Sequence, residues 1–161
     1  MEELTELKDK ALKKKRENKK FFDQLKKRPP KDLDHQFQEL HEEAFNHIDC
    51  LNCANCCKTT GPLFKQKDIE RLASHLKMRP AQFVETYLRV DEDNDYVLKS
   101  LPCPFLGADN YCSVYDYRPN ACREYPHTNQ RKMHTLFKET LNNVPICPAV
   151  FEIVEKLKKV Y

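Results

Sequence analysis

Glycine is nearly absent from this chain of 161 residues: Gly61 and Gly107 are all it has, and there is no tryptophan. Phosphate-cradling loops and dinucleotide fingerprints need clustered glycines, so both are excluded. Long apolar runs are missing too. No stretch approaches the roughly 20 residues of a membrane span, and the opening Met1-Glu2-Glu3-Leu4-Thr5-Glu6 has no apolar signal core. These absences point to the cytoplasm, where clustered thiols hold metal more often than they form disulfides. Charged residues make up 33% of the chain, so part of it should be solvated helix rather than core. The length suits one domain, or one domain with an appendage, and a real hydrophobic core.

Cysteine is what the chain has in excess. Eight stand at positions 50, 53, 56, 57, 103, 112, 122 and 147, and four of them fall within eight residues as Cys50-x2-Cys53-x2-Cys56-Cys57. Thiolates packed this closely repel one another and oxidise unless a cation sits among them, which points to a metal or an iron–sulfur cluster. On a helix the four sulfurs would share about a third of the circumference, and a turn would gather them more tightly. Four buried apolar cysteines are the plain alternative, but ordinary cores do not need cysteine at this density. A Cys56–Cys57 redox disulfide is the other.

Residues 1–28 read as a helix with Leu4, Leu7, Ala11, Phe22 and Leu25 on a broken stripe. This segment holds 11 lysines and arginines against 6 acidic residues, and the remainder holds 17 against 19, so the basic excess is concentrated here. Interleaved acids and the lack of alternating aromatics favour a solvated face over a nucleic-acid contact. Pro29-Pro30 ends the helix. Asp32 or Asp34 can cap a second one, with Leu33, Phe37, Leu40, Ala44 and Ile48 at helical spacing, running toward Cys50. His41 and His47 read as surface residues or as neighbours of ligands, since thiolates are already at hand.

Beyond the cysteine run, residues 68–76 form an amphipathic helix with Ile69, Leu72, Ala73 and Leu76 inward, and His75 on its outer face. Pro80 starts another, with Phe83, Val84, Tyr87 and Leu88 inward. Asp91-Glu92-Asp93-Asn94-Asp95 lacks the glycine and distal glutamate of a calcium loop and reads as a turn. Residues 96–99 and 111–115 are strand candidates for one hairpin, joined through Gly107-Ala108-Asp109-Asn110. Between Pro119 and Pro126 there is room for about two helical turns carrying Cys122, flanked by Arg118 and Arg123. Guanidinium groups there can lower thiol pKa values and hydrogen-bond a dianionic thiolate site, or pair with Asp116 and Glu124. Two more helices follow, 129–142 with Met133, Leu136, Phe137 and Leu141 inward, and a last one with Ala149, Val150, Ile153, Val154, Leu157 and Val160. The expected fold is mostly α with one short β-hairpin, a small metal-organised domain over 31–161 behind a basic helical extension over 1–30.

Eight thiols fit two tetrathiolate zinc sites, one four-iron cluster with thiols to spare, or two clusters. C-x2-C-x2-C is the spacing of three ligands to a four-iron cluster, and a cysteine followed by proline, as in Cys103-Pro104 and Cys147-Pro148, completes such sets. Structural zinc usually takes two separated C-x2-C pairs, whereas the distal cysteines here are single. The balance falls to iron.

Together with Lys67-Asp68-Ile69-Glu70-Arg71, Cys103-Pro104-Phe105-Leu106, Cys112-Ser113-Val114-Tyr115 and Arg118-Pro119-x2-Cys122-Arg123-x-Tyr125-Pro126, the cysteine run resembles the YkgJ-type cysteine-cluster family over roughly residues 45–150. That family is described as a zinc- or iron-chelating domain, sometimes as an iron–sulfur cluster protein. The resemblance makes all eight cysteines candidate ligands. It also extends to the cysteine-rich part of flagellin lysine methylases, which adds to the iron reading without implying methylase activity. Three functions follow. One is an iron–sulfur (4Fe-4S) or iron protein in electron transfer or as an accessory to another enzyme, with a protein or redox partner. Another is a zinc-organised interaction module. The last is a metal-dependent enzyme of unknown substrate, with Tyr115, Tyr117, Tyr125 and His127 lining an open metal position, although these four read more simply as core residues and neighbours of the ligands.

Overall fold

The computed structural model describes residues 2–161. Helix α1 (Glu2–Lys27) is followed by α2 (Leu33–Phe45) and two short turns of helix, α3 (Cys50–Cys53) and α4 (Asn55–Thr59). Strand β1 (Leu63–Phe64) leads into α5 (Gln66–His75), α6 (Pro80–Tyr87), β2 (Leu88–Val90) and β3 (Tyr96–Leu98). A 3-10 turn at Tyr115–Tyr117 precedes α7 (Asn120–Glu124), and another at Met133–Thr135 precedes α8 (Phe137–Asn143) and α9 (Pro148–Val160). The chain is mostly helical with one small antiparallel sheet, and it divides into two compact units, Met1–Asp49 with Pro126–Tyr161, and Cys50–Tyr125. Among the described residues no helix is long and apolar enough to cross a membrane.

The first unit is a set of helices around α9. Pro148 sits in the first turn of α9, where its missing N–H costs nothing. Ala149, Val150, Ile153, Val154 and Leu157 then bury one complete face, chiefly against α2. Each large side chain so buried is worth about 1.5–3 kcal/mol. Helix α1 packs on α8 and α9 through Leu7, Ala11, Phe22 and Leu25, with the Phe22 and Phe137 rings 4.7 Å apart. Its buried stripe also holds Asn18, whose Oδ1 accepts a 2.8 Å hydrogen bond from Lys158 Nζ. The expected helix over 129–142 begins later. Both Asp34 carboxylate oxygens accept backbone N–H groups, from Lys132 and Met133, at 2.9 Å each. Those bonds hold the chain in a tight turn, with Lys132 at φ 55°, and α-helix resumes only at Phe137.

In the second unit, α5, α6 and the sheet enclose a core of Phe64, Ile69, Leu72, Ala73, Phe83, Leu88, Leu98, Phe105 and Val114. The sheet order is β1-β3-β2, with Val90 opposite Tyr96 and Leu63 opposite Val97. The hairpin partner of 96–98 is therefore 88–90, not the expected 111–115. Asp91 decides this, because its Oδ1 accepts the N–H groups of both Asp93 and Asp95 and so closes a tight turn between β2 and β3. The 107–110 turn does form, but its flanks share only one bridge, Leu106 with Cys112, and Tyr115–Tyr117 coils into a 3-10 turn.

Candidate metal centre

The cysteine run is not one helix. Ala54 takes a left-handed conformation (φ 49°) between α3 and α4, while its N–H still bonds the Cys50 carbonyl at 2.8 Å. The helix therefore breaks after Cys53. At the far end of α4 the Cys56 carbonyl accepts the N–H groups of Thr60 and Gly61. Gly61 sits at φ +69°, a conformation that costs other residues strain. Cys50 is exposed, whereas Cys53, Cys56 and Cys57 are half-buried.

Three distant segments come to Cys57. The Cys103 N–H donates to the Cys57 carbonyl at 2.8 Å, which ties residues 101–106 to the cysteine run. The Leu106–Cys112 bridge and the Ser113 N–H on the Phe105 carbonyl hold Cys112 beside the same segment. Cys103 and Cys112 pack directly on the core of this unit. Cys122 lies on α7, its N–H bonded to the Pro119 carbonyl at 2.9 Å.

Charge interactions link these four thiols, although no three of them stand at metal-holding distances. A hydrogen bond with the Cys56 thiol, helped by the charges of Arg118 and Lys58, outweighs burial and brings the Cys57 thiol down to about 7. Burial pushes Cys103 up to about 11 and Cys122 to about 12, and the charge on Cys57 adds to both. Cys112 is raised for the same two reasons, against Arg118. The Cys57 thiol is thus lowered while those of Cys103, Cys112 and Cys122 are raised. Positive charge placed among them would favour their thiolates, which fits a soft cation or cluster with an all-sulfur donor set.

Arg118 is the arginine that faces this group. Its guanidinium lies 3.7 Å over the Tyr115 ring, and its Nε donates to the Tyr115 carbonyl at 2.8 Å. Arg123 instead donates to the Asp116 carbonyl. Among the described residues neither arginine forms an ion pair with Asp116 or Glu124, the alternative the sequence offered. Sequence reasoning missed Asp68 as a buried group. A charged residue at a helix start looks like ordinary capping, and it does cap, taking the Lys65 N–H at 2.9 Å. Yet it is only 1% exposed, and it also receives Arg71 and the Asn120 N–H.

Among the other candidates, His41 Nδ1 lies 2.8 Å from Thr128 Oγ1, and His47 Nε2 lies 2.8 Å from Glu152, both inside the helical unit. His75 is exposed and stacks on Tyr117 at 3.8 Å. Tyr115 and Tyr117 are exposed rather than core. Cys147 belongs to the helical unit, where it is buried at the start of α9. That unit also carries a polar cleft of about 400 Å³, lined by Asp34, His35, His41, Glu42 and Arg131 among others. Among the described residues no three His, Cys, Asp or Glu side chains form a group at metal-holding distances.

A family model, CxxCxxCC, described as a "Putative zinc- or iron-chelating domain", matches residues 49–147, a span that includes every cysteine. The chain belongs to the CxxCxxCC family. It is accordingly a metal-binding protein with a metal as cofactor. Searches of curated proteins and of solved structures returned no match.

Proposed function

We propose that this CxxCxxCC protein holds an iron–sulfur cluster or iron on its cysteines, and serves in electron transfer or as an accessory to another enzyme. The observation that carries the reading is the thiol group of Cys57, Cys103, Cys112 and Cys122. Four separate segments contribute to it, and burial and the Cys57 charge raise the pKa values of three of its members, which a cation among them would offset. These four are the proposed ligands at its centre. Cys50, Cys53 and Cys56 supply the C-x2-C-x2-C spacing of a cluster-binding set. Cys147 is included on the family match alone. When bound, such a group supplies one-electron chemistry. The chain supplies the sulfur donors, the Arg118 charge that offsets their negative charge, and the aromatic core behind Cys103 and Cys112.

Anaerobic purification followed by iron, zinc and sulfide analysis and a visible spectrum tests this. A brown, oxygen-sensitive protein with matching iron and acid-labile sulfide is expected. A colourless protein with zinc and no sulfide would overturn it in favour of the second reading, a zinc-organised interaction module. One feature favours that alternative: the four thiols that share charge interactions match the donor number of a closed tetrathiolate zinc site.

A further inference from the structure

Asp68 and Arg71 stand one turn apart on α5 and reach toward the segment that carries Arg118 and Cys122. The Asp68 carboxylate receives Arg71 Nη2 at 2.8 Å and the Asn120 N–H at 3.2 Å on one oxygen, and the Lys65 N–H at 2.9 Å on the other. The same Arg71 Nη2 donates to the Arg118 carbonyl at 2.7 Å, and its Nε to the Tyr117 carbonyl at 3.4 Å. Backbone groups at 117, 118 and 120 are therefore all tied to one ion pair. Those residues immediately precede Cys122, and one of them is the arginine that faces the thiols.

Packing alone does not call for this arrangement. A buried carboxylate is costly to desolvate, and an apolar side chain would fill the same place without that cost. What the pair adds is direction. Planar guanidinium and carboxylate groups fix donors and acceptors in a way an apolar contact cannot.

We propose that Asp68 and Arg71 are positioning residues of the metal centre, holding backbone 117–120 so that the Cys122 thiol and the Arg118 guanidinium are presented together to the other cysteines. The proposal rests on the metal reading above. Neither residue touches the metal; both act through the segment they hold. Arg118 then has two separable parts, a carbonyl that the clamp grips and a side chain that bears on the thiols.

The test uses the full chain as purified, with the iron or zinc it carries, and follows metal release to a chromogenic chelator alongside the absorption spectrum. Arg71→Lys keeps the charge but loses the fork, and Asp68→Asn keeps one acceptor. Both should release metal about 10–100-fold faster than the wild type, the usual scale for residues that orient ligands. Arg118→Gln leaves the gripped carbonyl in place, so it should alter release and spectrum with little change in melting temperature. Ile153→Ala, a core change in α9 of the other unit, is the control for simple loss of stability. Variants with wild-type release and spectra would overturn the proposal, as would an Ile153→Ala protein that changes both as much as Arg71→Lys does. A wild-type chain that takes up neither iron nor zinc would instead sink the metal reading itself.

Discussion

In the metal-depleted, reduced chain, Cys57 should outpace its neighbours in thiol–disulfide exchange by a calculable margin. With pKa values of about 7, 11 and 12 for Cys57, Cys103 and Cys122, about half of Cys57 is thiolate near neutral pH, against about one part in 10⁴ and one in 10⁵ for the other two. Lower-pKa thiolates are weaker nucleophiles, and a Brønsted slope of about 0.4–0.5 returns roughly two of those orders of magnitude. Exchange with a small disulfide reagent should then be about 10²-fold faster at Cys57 than at Cys103, and a few hundred-fold faster than at Cys122. Brief exposure, acid quenching and mass-spectrometric mapping read this directly, with far-ultraviolet circular dichroism to show that the sample keeps its helices. Cys56→Ala should shrink the margin, because the Cys56 hydrogen bond is the largest influence lowering Cys57. Equal labelling of Cys57 and Cys122 in a folded sample would refute the electrostatic picture of the site.

Acid should weaken the second unit through Asp68. Burial opposes its ionisation, but the Lys65 N–H, Arg71 and the Asn120 N–H prevail and hold it below the ordinary carboxylate range. Its contribution is thus full at neutral pH and lost as pH falls below about 4, so acid-induced melting of Asp68→Asn should be less steep than that of wild type. Phe83 is fully buried, with the Phe64, Tyr87 and Phe105 rings around it, so Phe83→Ala should cost about 3–5 kcal/mol in denaturant titration. Metal retention should fall with it, since Cys103 and Cys112 pack on that core; full occupancy would show that core and site are independent. Gly61→Ala should cost about 1–2 kcal/mol, because the added methyl would stand 3.1 Å from Leu98 Cδ1 at a left-handed φ, and an unchanged melting temperature would contradict this.

Local pattern alone determined a good deal of this protein. The cysteine spacing marked the metal-binding family to which residues 49–147 match. Apolar periodicity marked α6 and α9, with Pro80 at the start of α6, since a helix that buries one face must repeat apolar residues at its own period. Tertiary structure decided the rest. The expected partner of β3 was 111–115, and the Asp91 side chain closing the turn before β3 gave it β2 instead. The four clustered cysteines looked equivalent until the fold brought Cys103, Cys112 and Cys122 within reach of the Cys57 charge. Nothing in the local sequence set Asp68 apart, and its burial depends on Arg71 and Asn120 meeting it from a turn away and from 52 residues on. Such choices turn on which distant groups share a low-dielectric space, and nearest-neighbour spacing carries no record of that.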